Sequence, residues 1–182
     1  MQRFGVTGFS DSGKTTLVCR LLPMLRARGL RVATVKHAHH GFDLLPADHP
    51  AQAWRDAGAR DIVLAAPDRF AHLRETGGDG EPSLDRLLAR IEPADLVLIE
   101  GYKRGGHDKI EVRRGAGEGP LLAASDPTIV AIAGDRPIPA AAALGRAVPV
   151  FDIDDVAGIA SFVMAHCGIV GNDETMLAHG TA

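Results

Sequence analysis

Apolar side chains fall at Leu17, Val18, Leu21, Leu22 and Leu25, the spacing that gives a helix one buried face. This predicts a helix over residues 15–28, closed by Gly29. Pro23 lies inside it and, having no amide donor, should bend it. Short apolar runs at 3–7 and 31–35 read as strands on either side, so the chain opens with a βαβ unit. The unbroken apolar run at 96–99 fits a strand covered on both faces. Further strands are expected at 62–66, 129–133 and 148–151, with 110–113 as an edge strand. Helical patterns return at 52–57 before Gly58, at 84–91 behind Pro82 and Ser83, and at 156–165. Strands and helices that alternate in this way predict an α/β fold, a single domain over residues 1–171 with a mainly parallel sheet flanked by helices. Residues 172–182 are polar and read as a frayed tail. Three glycine-rich stretches, 76–81, 104–108 and 114–120, read as surface loops.

Charge and cysteine content narrow the picture. A net charge of −3 over 182 residues provides no global basic field for nucleic acid or for a membrane surface. No apolar run is long enough to cross a bilayer, and none resembles a leader segment. Cys19 and Cys167 each sit in a helix-like pattern far apart in sequence, which favours two buried free thiols over a disulfide or a zinc pair. A reducing cytoplasm is the expected setting.

The chemistry begins between the first strand and the first helix. Gly8-Phe-Ser10-Asp11-Ser12-Gly13-Lys14-Thr15 matches the phosphate-loop pattern G-x-x-x-x-G-K-[ST] in full and has the strand and helix that pattern requires. Glycines let backbone N–H groups turn inward around phosphate, and the helix N-terminus adds positive potential. Lys14 is placed for the β- and γ-phosphates and the Thr15 hydroxyl for Mg2+. Asp11 is unusual, because a carboxylate repels the ligand. A left-handed backbone, which Asp tolerates, would turn its side chain away. These features indicate a P-loop NTPase-type fold.

Other candidates sit at strand ends, on the rim where parallel sheets bind ligands. The strand at 96–99 runs into Glu100-Gly101, an acid able to serve Mg2+ or an attacking water, which makes Glu100 and Lys14 the candidate catalytic pair. Lys103 could meet phosphate or a partner. Lys36-His37-Ala-His39-His40 follows the second strand. Its histidines fit an anion- or partner-binding role better than surface positions without a role or a closed zinc site, which needs four ligands. Asp43 is a candidate magnesium or water ligand. Asp135, at the end of the 129–133 strand, could accept both donors on the Watson–Crick edge of guanine, although Gly-Asp is also an ordinary turn pair.

Together Gly8–Leu17, Val35–Asp43, Ala57-Gly-Ala, Leu96–Lys103, Lys109-Ile-Glu-Val-Arg113 and the closing Phe151–Ala160 resemble the molybdopterin-guanine dinucleotide biosynthesis protein B family, in that family's order. The resemblance implies a GTP-binding adaptor that assists attachment of GMP to molybdopterin. Such adaptors are homodimers with weak GTPase activity, working beside a guanylyltransferase and cofactor-delivery proteins. By matching position, Gly8, Gly13, Lys14, Thr15 and Thr16 would bind the phosphates and magnesium, and Glu100 would serve the metal or water. Lys36, His37, His39 and His40 would line the functional rim. The chain departs from the family where Leu45, Pro50 and Ala51 replace an acid and an Asp-Ser pair. Two other classes remain open: a small-molecule kinase, although the 76–81 stretch lacks the arginines of a lid, and a metal-insertion GTPase using the histidine cluster.

Overall fold

In the computed structural model, the first strand, β1 (Gln2–Thr7), leads through the glycine-rich loop into α1 (Lys14–Ala27). The structure describes residues 1–38, 41–42, 45–46, 48–78, 80–115 and 119–171. Leu17, Val18, Leu21 and Leu25 are the buried face of α1, as their spacing predicts. The helix stops in a Schellman arrangement: Gly29 takes φ 83°, its N–H donates to the Arg26 carbonyl, and the Leu30 N–H donates to the Leu25 carbonyl. Pro23 is carried within one unbroken helix on its exposed side, where a missing amide costs least.

The chain forms two compact units, Met1–His37 with Glu92–Ala182, and Ala38–Ile91. The first holds a six-stranded, all-parallel sheet in the order β2-β5-β1-β6-β7-β8, comprising β2 (Val32–Lys36), β5 (Leu96–Glu100), β6 (Lys109–Arg113), β7 (Ile129–Gly134) and β8 (Val150–Asp152) around β1. Phe4, Val6, Leu98, Ile110 and Val112 on one sheet face pack with α1 and with α4 (Val156–His166) into the main core. β5 is buried along its whole length, as its unbroken apolar run predicts.

The edge-strand expectation for 110–113 is corrected, because β6 lies inside the sheet, between β1 and β7. Its charged residues Lys109 and Glu111 are fully buried. Lys109 Nζ donates to the Gly105 carbonyl at 2.8 Å, to Asp126 at 3.2 Å and to the Thr128 hydroxyl. Glu111 accepts from the Leu122 and Ala123 N–H groups at 3.1 and 2.9 Å and from Arg113 at 2.8 Å. Burying these charges is tolerable because each is paired and hydrogen-bonded. The buried-thiol expectation is half corrected. Both cysteines are free, but Cys19 is exposed, and Cys167 is half-buried, its thiol pushed up to about 11 by burial.

In the second unit, 62–66 does not join the parallel sheet. It belongs to β3 (Asp61–Ala66), which pairs antiparallel with β4 (Arg69–Arg74) in a separate hairpin. α2 (Pro50–Asp56) starts at a His49 cap whose Nδ1 accepts the Ala51 N–H at 3.1 Å. The departing residues Pro50 and Ala51 therefore build a helix start, Pro50 in the first turn and Ala51 buried. α3 (Leu84–Leu88) is capped by Ser83, as expected. The tail at 172–182 lies outside the described residues.

Candidate nucleotide-binding site

Sheet register brings the site together. Glu100, at the carboxyl end of β5, has Val6 of β1 beside it on one side and Lys36 of β2 on the other. α1 starts just beyond the end of β1. The Thr15 hydroxyl donates to Glu100 Oε1 at 2.7 Å, and Lys36 Nζ lies 2.9 Å from that hydroxyl and 3.1 Å from the carboxylate. An open cleft of about 380 Å3 is lined by Ser10, Asp11, Gly13, Lys14, Thr15 and Thr16 together with Lys36, Glu100 and Arg114.

The loop has the backbone its chemistry demands. Gly8 (φ 147°) and Gly13 (φ 95°) adopt conformations that L side chains avoid. A Cβ at Gly8 would come 2.4 Å from the Val112 carbonyl oxygen and 2.6 Å from Ser12 Oγ. Asp11 takes φ 58°, the left-handed backbone anticipated for it. Ser12 is fully buried, and its hydroxyl makes no hydrogen bond among the described residues. Lys14 donates to the Phe9 carbonyl. Burial lowers its pKa, with Lys103 and Lys36 adding to the effect and Glu100 and Asp11 opposing it.

The rim is assembled in part. His37 donates its N–H to the Glu100 carbonyl at 2.9 Å, and its ring lies 4.7 Å from that of Tyr102. Gly101 (φ 90°) permits this approach, because a Cβ there would sit 2.9 Å from His37 Cβ. Tyr102 is itself left-handed at φ 45°, uncommon for an aromatic residue. Lys103 Nζ stands 4.9 Å over the Phe9 ring, within cation–π range. His39, His40 and Asp43 lie outside the described residues. Both Asp135 carboxylate oxygens accept the Gly115 N–H at 3.1 Å, and Asp135 does not line the cleft. Sequence reasoning missed Arg114 by reading it as loop. Its signal was a cation directly after a strand whose carboxyl end faces the phosphate loop.

Among the described residues, no group of three His, Cys, Asp or Glu is placed to hold a metal ion. A second depression of about 410 Å3, at the amino ends of β1 and β6, includes His107, Asp108, His166 and Cys167. The raised Cys167 pKa makes its thiol a poor nucleophile there.

Residues 4–135 match the sequence model of the family described as Molybdopterin guanine dinucleotide synthesis protein B. The chain belongs to this family. It is 37% identical over 159 residues to the molybdopterin-guanine dinucleotide biosynthesis adapter protein of Escherichia coli (strain K12), covering 86% of this chain and 87% of that one. To the adapter protein of Haemophilus influenzae (strain ATCC 51907 / DSM 11121 / KW20 / Rd) it is 34% identical over 161 residues, covering 87% and 85%. A crystal structure of molybdopterin-guanine biosynthesis protein B (mobB) superposes with a TM-score of 0.67 at 30% identity, covering 90% of this chain and 99% of that one. Family membership carries the P-loop NTPase-type architecture with it. No helix among the described residues is long and apolar enough to cross a membrane.

Proposed function

We propose that this protein is a GTP-binding adaptor that assists attachment of GMP to molybdopterin in molybdenum cofactor biosynthesis, with weak GTPase activity. The observation that carries the reading is the junction of Thr15, Glu100 and Lys36 beside the glycine cradle. Two oxygen donors there already share a cation, the Lys36 ammonium, so the donor set suits a hard divalent ion. Mg2+, when bound, supplies charge neutralisation to the phosphates. Thr15 and Glu100 would hold that ion, while Lys14 and the loop N–H groups hold the phosphates.

In this reading Glu100 orients water and hydrolysis is slow. Turnover should therefore fall below about 1 per second. The adapter names of the relatives support work with partner proteins; in this reading the partners are a guanylyltransferase and cofactor-delivery proteins. In this reading the protein acts in the cytoplasm as a homodimer. Val63 and Phe70, exposed on the same face of the β3–β4 hairpin, are consistent with apolar contact to a second copy.

The deciding experiment is calorimetry of GTP and ATP with Mg2+, repeated on Lys14→Ala. Preferential GTP binding that weakens about 30- to 100-fold in the variant is expected, the worth of a charge-assisted contact. Equal affinity for ATP, or binding indifferent to Lys14, would remove the reading.

A further inference from the structure

Arg114 stands where β6 leaves the sheet, and the chain is gripped on both sides of it. On one side the Arg113 guanidinium is held by Glu111 at 2.8 Å and donates to the carbonyls of Gly119 and Pro120 at 3.0 and 3.2 Å. Glu111 is itself fully buried and tied to the Leu122 and Ala123 N–H groups. On the other side the Gly115 N–H is held by both carboxylate oxygens of Asp135.

Between these two anchors, Arg114 faces the glycine cradle. A Cβ built on Gly13 would lie 3.7 Å from its Cζ and 3.8 Å from its Nε, so the guanidinium rests against the first turn of α1. Arg114 shares the cleft wall with Lys14 and Thr16. Sheet order sets its direction of approach. β6 and β5 flank β1 on opposite sides, so Arg114 reaches the cleft from the side away from the Thr15–Glu100 junction. A guanidinium presents a rigid fork of donors that matches phosphate oxygens, and fixing its backbone in advance reduces the ordering cost of the contact.

We infer that Arg114 is a built-in phosphate-binding residue that contacts the inner phosphates of the nucleotide, and that Glu111 and Asp135 are positioning residues for it. This deepens the reading of the cleft as a nucleotide site and rests on it. It also gives Asp135 a different role from base recognition: its carboxylate sets the loop that presents Arg114 to a part of the nucleotide common to every base.

The test titrates fluorescent GDP, a non-hydrolysable GTP analogue and the matching adenine analogue into the wild-type protein, Arg114→Ala, Arg114→Lys and Asp135→Asn. Arg114→Ala should weaken the diphosphate and the triphosphate alike, by roughly 10- to 100-fold. Arg114→Lys should recover part of the loss, because it restores charge without the fork. Asp135→Asn should weaken guanine and adenine nucleotides by the same factor, and should add little in an Arg114→Ala background.

Unchanged affinity in Arg114→Ala would overturn the inference while leaving the GTP reading intact. A loss confined to the triphosphate would overturn the inner-phosphate assignment. A changed guanine-to-adenine ratio in Asp135→Asn would return that residue to base recognition. Wild-type protein that binds none of the three nucleotides would remove the function and the inference together.

Discussion

Two lysine–carboxylate groups lie on the same sheet and behave differently. In β6, Lys109 is fully buried, and its ammonium is shared by Asp126, Thr128 and a backbone carbonyl. At the end of β2, the Lys36 side chain is 58% exposed, and its ammonium rests between a hydroxyl and the Glu100 carboxylate, whose side chain is 11% exposed. The first group is closed, with every partner supplied by the fold and no opening for a ligand. The second is left open toward a cleft, and one small cation could replace another there. Full satisfaction marks a charge that holds structure, and an exchangeable partner marks one that can bind.

Breaking the closed group should have the largest effect. Lys109→Met keeps the volume but leaves Asp126, Thr128 and the Gly105 carbonyl without their shared donor. A loss of about 3 kcal/mol or more is expected, the cost of breaking a buried pair by removing one partner, read as a lower urea midpoint. Nucleotide affinity in the folded fraction should stay close to wild type. A variant as stable as wild type would erase the distinction between the two groups.

Gly8→Ala tests the cradle that the open group serves. At φ 147° the new Cβ would be forced toward the Val112 carbonyl at 2.4 Å, which costs about 1–3 kcal/mol of backbone strain. Here affinity and stability should fall together, because the same backbone makes the loop and joins it to β6. A variant that binds nucleotide with wild-type affinity would show that the loop is not the phosphate cradle.

Lys36→Met sharpens the other side of the comparison. With the tethered ammonium gone, Mg2+ meets no competitor at Thr15 and Glu100. The Mg2+ concentration that half-saturates nucleotide binding should fall roughly 2- to 5-fold, in line with a partly exposed ion pair. If the variant needs more Mg2+ than wild type, Lys36 supports the metal rather than holding its place.

The same contrast explains what could be read from the chain. The phosphate loop, α1 and β5 were legible because each rests on local chemistry: glycines at fixed offsets, one helical stripe and an unbroken apolar run. Asp11 was legible too, since its left-handed backbone follows from residue type. The interior place of β6 was not, because Ile110 and Val112 alternating with Lys109, Glu111 and Arg113 looks the same whether the charged face meets water or partners. Those partners, Asp126, Thr128 and the 122–123 amides, are distant in sequence. β3 was recognised as a strand but not as half of a hairpin, since β4 is almost wholly exposed and carries little apolar signal. Arg114 was hidden for a related reason, because the groups that hold the chain on either side of it, the Leu122 and Ala123 amides on Glu111 and the Asp135 carboxylate on Gly115, are distant in sequence.

The smallest expected effect is a pH dependence at the edge of the closed group. His107 lies over Gly5 and Lys109, and its Nε2 is buried without a hydrogen bond among the described residues. Burial holds the imidazole below its ordinary value of 6.5; Lys109 and Arg3 push the same way, while Asp108 and Asp126 oppose them. The unfolded chain therefore takes up this proton first as pH falls. His107 contributes its full stability above about 6.5 and loses it as pH drops from there toward the lowered folded-state value. Asp126 is pushed up by burial, but hydrogen bonds from Thr128 and Lys109 outweigh that and leave its pKa below 3.8, so its stabilisation is lost only in stronger acid. Urea midpoints measured from pH 7 to pH 5 should fall more steeply in wild type than in His107→Gln. Lys109→Met, which removes one of the causes, should lie between them. Equal slopes in all three proteins would mean that the buried ammonium and the imidazole do not sense each other, and that the closed group ends at Lys109.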